Sequence, residues 1–91
     1  MGTASRQKPE KLPQKLKQIR TVLGLSQNQL LEKLELQDEV FRSTISAFER
    51  GTREPSYVIL LKYAKLAGIC TDVLIDDALN LPEHLPSDVR H

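Results

Sequence analysis

The chain has 91 residues, of which 27% are charged and 40% hydrophobic, and this is the balance of one small globular domain. Four aromatic residues and no tryptophan leave leucine, isoleucine and valine to build the core. The single cysteine excludes an internal disulfide and a cysteine-based metal cluster. No apolar run is long enough to span a membrane or to form the centre of a signal peptide. We therefore expect one cytoplasmic domain with no membrane partner.

Charge is divided unevenly along the chain, although the formal net charge is only +1. Residues 1–25 hold six basic residues and one acidic residue, whereas residues 70–91 hold one basic residue and five acidic ones. Such runs are commonly solvated surface, but a basic segment also suits contact with nucleic-acid phosphates. We predict a flexible basic arm over residues 1–9, one folded domain over residues 10–80 and an extended tail over residues 81–91.

Apolar residues recur at spacings of three and four, so we predict an all-α fold of five helices. The first helix is expected to end at Gly24, and its basic face carries Lys17. Ser26 and Gln29 have the spacing of a capping box and predict the start of the second helix. The apolar stripe of the first helix consists of Leu12, Leu16, Ile19 and Leu23.

The stretch FRSTISAFERG predicts a third helix with two unlike faces. Phe41, Ile45 and Phe48 follow helical spacing and predict a face packed on the core, and Gly51 predicts a left-handed end. The other face holds small side chains together with Arg42. Such a face is typical of any small exposed helix, but it can also approach the DNA major groove, where Arg, Ser and Ala can contact base edges.

The fourth and fifth helices are expected after this stretch. Ser56 predicts the N-cap of the fourth helix, which is apolar around most of its circumference, should be the most buried, and ends at Gly68. The fifth should begin at Thr71 and end before Pro82. Cys70, at the junction, is expected to be a small buried residue. The residues expected to be buried by the fifth helix are Val73, Leu74 and Ala78.

Three stretches occur in the order, and nearly with the spacing, of one known family. They are LGLSQNQLLEKL, FRSTISAFERGTREPS and LLKYAKLAGICTDVLI, and the run STIS, then E-R-G, then a proline four residues after the glycine is their most specific portion. Residues 12–79 thus resemble the helix-turn-helix domain of phage repressors, Cro proteins and Xre-type bacterial regulators. The resemblance implies a compact lambda-repressor-like bundle of five helices, in which the second and third form the helix-turn-helix and the third enters the major groove.

The resemblance also implies roles for individual residues. Glu49 should pair with a nearby base, for which Arg20 is the candidate, instead of contacting the DNA. Gln27 should contact phosphate and support the third helix. The candidate base-reading residues are Arg42, Ser43, Ser46 and Ala47. The candidate phosphate contacts are Gln27, Thr44, Thr52 and Arg53, to which the basic face of the first helix adds Lys17.

The chain departs from the family between the second and third helices, where ELQDEV makes the connection several residues longer than usual. Glu35 stands where a turn glycine is common, and Phe41 stands where a small capping hydroxyl is common. We expect Asp38 to cap a longer third helix that starts near Glu39, because Val40 and Phe41 are apolar enough to be buried. The alternative is an outward loop that leaves the docking on DNA unchanged.

Together these features predict a sequence-specific double-stranded DNA-binding transcriptional regulator, and more narrowly a repressor, of bacterial or phage origin. Because one short helix reads few base pairs, we expect a homodimer. The alternative is a protein-interaction module, such as the antitoxin subunit of a toxin–antitoxin pair, whose acidic tail LIDDALNLPEHLP binds a protein partner, with or without DNA binding. The candidate dimer contacts, which could equally fold onto their own core, are Val73, Ile75, Leu79, Leu81 and Leu85.

An enzymatic function has little support in the sequence. His84 and His91 are the only side chains that ordinarily titrate near neutral pH, and both lie in the tail without an identifiable nucleophile or orienting carboxylate. Asp76, Asp77 and His84 lack the spacing of a metal site. We expect no catalytic site, no metal and no cofactor.

Overall fold

The computed structural model describes residues 9–82 and 85–86. Five α-helices follow one another, and the described residues contain no strand. The prediction of an all-α fold with five helices is confirmed. The helices are α1 (Leu12–Val22), α2 (Gln27–Lys33), α3 (Arg42–Arg50), α4 (Tyr57–Ala67) and α5 (Thr71–Ile75).

The ends of α2 and α4 follow their local sequence signals. The Ser26 hydroxyl accepts a hydrogen bond from the N–H of Gln29, and the Gln29 side chain accepts one from the N–H of Ser26, which is the predicted capping box. Ser56 caps α4 by accepting a hydrogen bond from the N–H of Ile59. At the other end of α4, Gly68 has a φ of 75°, a conformation that costs glycine nothing sterically. Both helices therefore start where the sequence predicts.

The core lies around α1. This helix contacts α3 and α5, while α2 contacts α3 and α4 contacts α5. Leu16 and Ile19 of α1 are completely buried. The helix predicted to be the most buried, α4, leaves Tyr57 and Val58 exposed instead. Apolar residues all around a helix lead to burial only where neighbouring helices cover every side, and the first turn of α4 has no such cover.

The segment between α2 and α3 forms a separate turn, so the prediction of a longer third helix is wrong. The carbonyl of Leu36 accepts hydrogen bonds from the N–H groups of Glu39 (2.9 Å) and Val40 (3.0 Å). The Leu36 side chain is buried in the core. Glu35 has a φ of 58° and takes the left-handed conformation at the position where a turn glycine is common in the resembled family. The buried leucine anchors the extra residues, which therefore close on themselves instead of extending α3.

Helix α3 has Phe41 as its N-cap residue, and Asp38 is not its cap. The Phe41 backbone is extended (φ −100°, ψ 162°), and its side chain is 79% exposed. The prediction that Phe41 belongs to the buried face of this helix is therefore wrong. An N-cap residue lies outside the helical repeat, so the i, i+4 spacing does not carry its side chain to that face. Val40 packs partly against the core instead.

Helix α5 begins at Thr71 as predicted but ends at Ile75, and Ala78 lies beyond it and is exposed. The Asp76 carboxylate accepts a hydrogen bond from the N–H of Ala78, which gives the backbone an alternative to continuing the helix. Cys70 is the N-cap residue of α5 and is exposed, contrary to the prediction.

The described part of the tail packs on the domain. Leu85 is buried, and Leu81 packs partly against the core. Residues 1–8 of the predicted arm, and residues 83–84 and 87–91 of the tail, lie outside the described residues, so the division into arm, domain and tail stays a prediction. Among the helices of the described chain, none has the length and apolar character needed to cross a membrane.

Candidate nucleic-acid interface

Helix α3 has one face in the core and one face open. Ile45 and Phe48 are buried, whereas Arg42 and Ser43 are exposed at the start of the helix. Ser46 and Ala47, the other two candidate base-reading residues, are half-buried. The four candidates therefore differ in exposure, and the two residues nearest the N-terminus of α3 are the most accessible.

The C-terminal end of α3 is closed by Gly51 and Thr52. Gly51 has a φ of 78°, and a Cβ at this position would lie 3.1 Å from Cγ of Pro13 in α1. The N–H of Thr52 donates to the carbonyl of Ala47 (3.0 Å), and its hydroxyl donates to the same carbonyl (3.3 Å). A glycine is thus required at position 51 both for its backbone conformation and for the close approach of α1.

A side-chain ion pair joins this end of α3 to α1. Arg20 donates to both carboxylate oxygens of Glu49, from Nε at 2.7 Å and from Nη2 at 3.0 Å, and its Nη1 donates to the Leu25 carbonyl at 3.0 Å. The Glu49 side chain is only 5% exposed. Its hydrogen bond raises the pKa of Arg20 above the usual range. The predicted pairing of these two residues is confirmed, and it fixes the angle of α3 against α1.

Gln27 extends this ion pair to α2. Its Nε2 donates to Oε1 of Glu49 at 3.3 Å, and the side chain is half-buried. A carboxamide has two N–H donors, so the contact with Glu49 uses one and leaves the other for a further acceptor. Gln27 is therefore held in place at the first residue of α2 by the same carboxylate that orients α3.

Tyr63 of α4 lies behind this network. Its side chain is completely buried, and its hydroxyl has no hydrogen-bond partner among the described residues. Burial first, and then the negative charge of Glu49, raise the pKa of Tyr63 well above its usual value. The hydroxyl is therefore neutral, and it adds no charge beside the ion pair.

The predicted phosphate contacts do not share one environment. Thr44 is only 8% exposed and does not lie on the open face of α3, so its role as a phosphate contact stays a prediction that this burial does not favour. The Thr52 hydroxyl directs its single hydrogen at the Ala47 carbonyl, which leaves it an acceptor and not a donor toward phosphate. Arg53 and Lys17 are exposed, in the loop after α3 and on α1.

Lys15 and Lys17 both lie on α1, but only Lys17 is exposed. Lys15 is only 4% exposed, and its Nζ donates to the carbonyls of Val73 (2.7 Å) and Asp76 (2.9 Å) at the end of α5. Burial lowers its pKa from the usual value. Lys15 stabilises the C-terminus of α5 and is unavailable to a nucleic acid.

Asp77 has a structural role that the sequence does not signal. Its carboxylate accepts hydrogen bonds from the N–H groups of Glu10 (2.9 Å) and Lys11 (3.0 Å) at the start of α1. These backbone hydrogen bonds, that of Lys11 first, lower the pKa of Asp77. Because 66 residues separate Asp77 from Lys11, no local pattern could reveal the contact. One carboxylate of the acidic segment thus holds the backbone immediately before α1 of its own chain.

A metal or catalytic centre finds no support in the part of the chain that the structure describes. No three residues among His, Cys, Asp and Glu are grouped there as metal ligands would be. His84 and His91, the two histidines considered as candidate bases, lie outside the described residues.

Comparison with protein families finds a match to the family described as a helix-turn-helix domain over residues 14–79, which is more than half of the chain. The match includes all of α2, α3, α4 and α5 and most of α1. Neither the curated proteins nor the solved structures contain a significant match to the chain. The family match is consistent with the resemblance to Xre-type regulators.

Proposed function

The chain belongs to the helix-turn-helix domain family, and from this premise we propose that it is a sequence-specific transcriptional regulator that binds double-stranded DNA with α3 in the major groove. The family supports DNA binding and transcription regulation and is typically non-enzymatic. One observation carries the proposal furthest. The C-terminal half of α3 is fixed by Arg20, Gln27 and Pro13, while its N-terminal residues Arg42 and Ser43 are open to a partner.

Base reading is assigned to the open end of α3. Arg42 can donate two parallel hydrogen bonds to O6 and N7 of a guanine, and Ser43 can contact several bases. Ser46 and Ala47 lie further along the helix and are half-buried, and Ser46 accepts a hydrogen bond from Nε of Arg50 at 3.3 Å. Arg42 and Ser43 should therefore contribute more to base preference than Ser46 and Ala47.

Phosphate contact is assigned to residues around α3. Gln27 is oriented by Glu49 and has a second N–H for a phosphate oxygen. Arg53 and Lys17 are exposed cations. Thr52 can contribute only if its hydroxyl gives up the bond to Ala47. These contacts carry no base information and should strengthen binding to all sequences alike.

We also propose a homodimer that binds a two-fold related site and acts as a repressor in a bacterial or phage-infected cytoplasm. Two copies double the number of base pairs read, and occupancy of a site is enough to block transcription. Ile75 and Leu79 are exposed and could meet the partner copy, whereas Leu85 is buried in its own core and Leu81 packs partly against it.

The alternative of a protein-interaction module through the acidic tail is less well supported. The Asp77 carboxylate accepts hydrogen bonds from the backbone before α1, and the Asp76 carboxylate accepts one from the N–H of Ala78. Both carboxylates are thus used inside the chain. A partner that required them would have to break these contacts first.

The test is selection of duplexes from a randomised pool, followed by titration of an enriched and a scrambled duplex at two salt concentrations. Arg42→Ala should lower affinity for the enriched duplex by roughly 1–3 kcal/mol and relax preference at one base pair. Arg53→Ala should weaken both duplexes alike and reduce the salt slope by about 1. Lys65→Ala, at an exposed cation of α4, is the matched control and should change neither the affinity for the two duplexes nor the salt slope. The absence of any enriched duplex and of salt-sensitive binding would refute the proposal.

A further inference from the structure

Phe41 is the most exposed large hydrophobic residue in the described chain, at 79%. It stands immediately before α3, where its backbone is extended. Its carbonyl accepts the first hydrogen bond of the helix, from the N–H of Thr44 at 2.9 Å. The Phe41 backbone is therefore held at the start of α3, and the ring has its apolar surface in water.

Stability alone would favour a different residue at this position. Ser26 and Ser56 each cap their own helices through a side-chain hydrogen bond, whereas Phe41 makes none. Phenylalanine thus loses a cap and also exposes an aromatic ring. A small hydroxyl residue would avoid both costs. Such a residue choice is expected where the ring contributes to binding.

The neighbours of Phe41 indicate the partner. Arg42 and Ser43, the next two residues, are the exposed end of the face assigned to base reading. If α3 enters the major groove with this end leading, the ring would lie near base edges. Base edges there present hydrogen-bond donors and acceptors and one apolar group, the C5-methyl of thymine. The same methyl is present on 5-methylcytosine.

We propose that Phe41 reads a pyrimidine C5-methyl group in the major groove, beside the base contacted by Arg42. This inference rests on the proposed function. Asp38 and Glu39, which precede Phe41 and are exposed, would be repelled by phosphate, so the segment before Phe41 should not contact the DNA backbone. An unstacking wedge is a different mode, since such wedges act from the minor groove.

The test uses the enriched duplex and measures dissociation constants for the wild type, Phe41→Ala and Phe41→Leu. Each thymidine is replaced singly by deoxyuridine, which removes only the methyl group. One replacement should weaken wild-type binding about fourfold, the effect of one buried methyl-sized group. The same replacement should have no effect on Phe41→Ala and an intermediate effect on Phe41→Leu.

A second arm separates the two sources of the methyl group. At the responsive position, a cytosine and a 5-methylcytosine opposite guanine are compared. A tighter complex with 5-methylcytosine in the wild type, and not in Phe41→Ala, would support recognition of the methyl on either ring. No difference between the two cytosines, together with the deoxyuridine effect, would identify thymine as the source.

Tyr57→Ala is the matched control, because Tyr57 is a similarly exposed aromatic residue at the start of α4. It should retain the full deoxyuridine effect. The inference is overturned if deoxyuridine changes the dissociation constants of the wild type and Phe41→Ala equally at every position. It is also overturned if Tyr57→Ala loses the deoxyuridine effect. In those cases binding to the enriched duplex persists and the proposed function stands. If no duplex is enriched at all, the proposed function fails, and the inference fails with it.

Discussion

The two ends of α3 differ in almost every physical respect. At the C-terminal end, Glu49 is bonded to Arg20 and Gln27, and Gly51 lies against Pro13. At the N-terminal end, the N-cap residue Phe41 makes no side-chain hydrogen bond to the helix, and its ring is exposed. One end of a single helix is thus connected to two other helices, while the other end has its side chains in solvent.

The two ends of α3 meet two different requirements of a helix that reads DNA. The angle at which the helix leaves the domain has to be fixed, and this requires buried, directional contacts. The reading end has to remain free of such contacts, because a donor or acceptor already used within the protein is not available to a base. Contacts at the C-terminal end of α3 should therefore contribute most to the stability of the domain. Residues at the N-terminal end should contribute most to affinity for DNA and to sequence preference.

Arg20→Ala should have the largest effect on stability. Removing one partner of a buried ion pair leaves Glu49 as an uncompensated charge. We expect a loss of about 3 kcal/mol in the free energy of unfolding, at the low end for such pairs because the Arg20 side chain is 19% exposed. Urea unfolding followed by circular dichroism measures it. The double variant Arg20→Ala/Glu49→Ala should lose less than the sum of the two single variants, and strict additivity would contradict the coupling.

Gly51→Ala should have the next largest effect. The left-handed conformation costs a non-glycine residue about 1–2 kcal/mol, and the new Cβ would also press on Pro13 at 3.1 Å. Gly68→Ala is the matched control, because Gly68 has nearly the same φ, 75° against 78°, and ends α4. Thermal and urea unfolding of both variants should show a greater loss for Gly51→Ala. Equal losses would mean that the contact with α1 contributes nothing.

Phe41→Ser should act in the opposite direction and with the smallest magnitude. A serine at this position can accept a hydrogen bond from an N–H of the first turn, as Ser26 and Ser56 do. We expect a gain of roughly 1 kcal/mol in the free energy of unfolding. Phe41→Ala separates this capping effect from removal of the exposed ring. If serine and alanine give the same stability, the N-terminus of α3 does not benefit from a cap.

Much of the fold could be predicted from local signals. The capping box at Ser26, the cap at Ser56 and the left-handed glycines at positions 51 and 68 mark helix ends through contacts within a few residues. The candidate reading residues Arg42 and Ser43 could be placed because the pattern of α3 identifies which face is apolar. The pairing of Glu49 with Arg20 could be predicted only from the resemblance to a known family, because the two residues are distant in sequence and no local pattern links them.

Errors occurred where burial depended on distant parts of the chain. The apolar character of Phe41 suggested burial, but only the turn anchored by Leu36 determines that the ring lies outside.

Local patterns in the sequence were sufficient for the number of helices, the caps of α2 and α4 and the open face of α3, because those properties depend on residues a few positions apart. The burial of Lys15 and the exposure of Lys17 depend on the packing of α5 on α1, because carbonyls at the end of α5 accept hydrogen bonds from Lys15. The hydrogen bonds from Asp77 to the backbone before α1 likewise exist only once the two ends of the domain are in contact. Contacts of this kind form only when helices from opposite ends of the chain pack together, and the spacing of residues within one helix does not predict which helices do so.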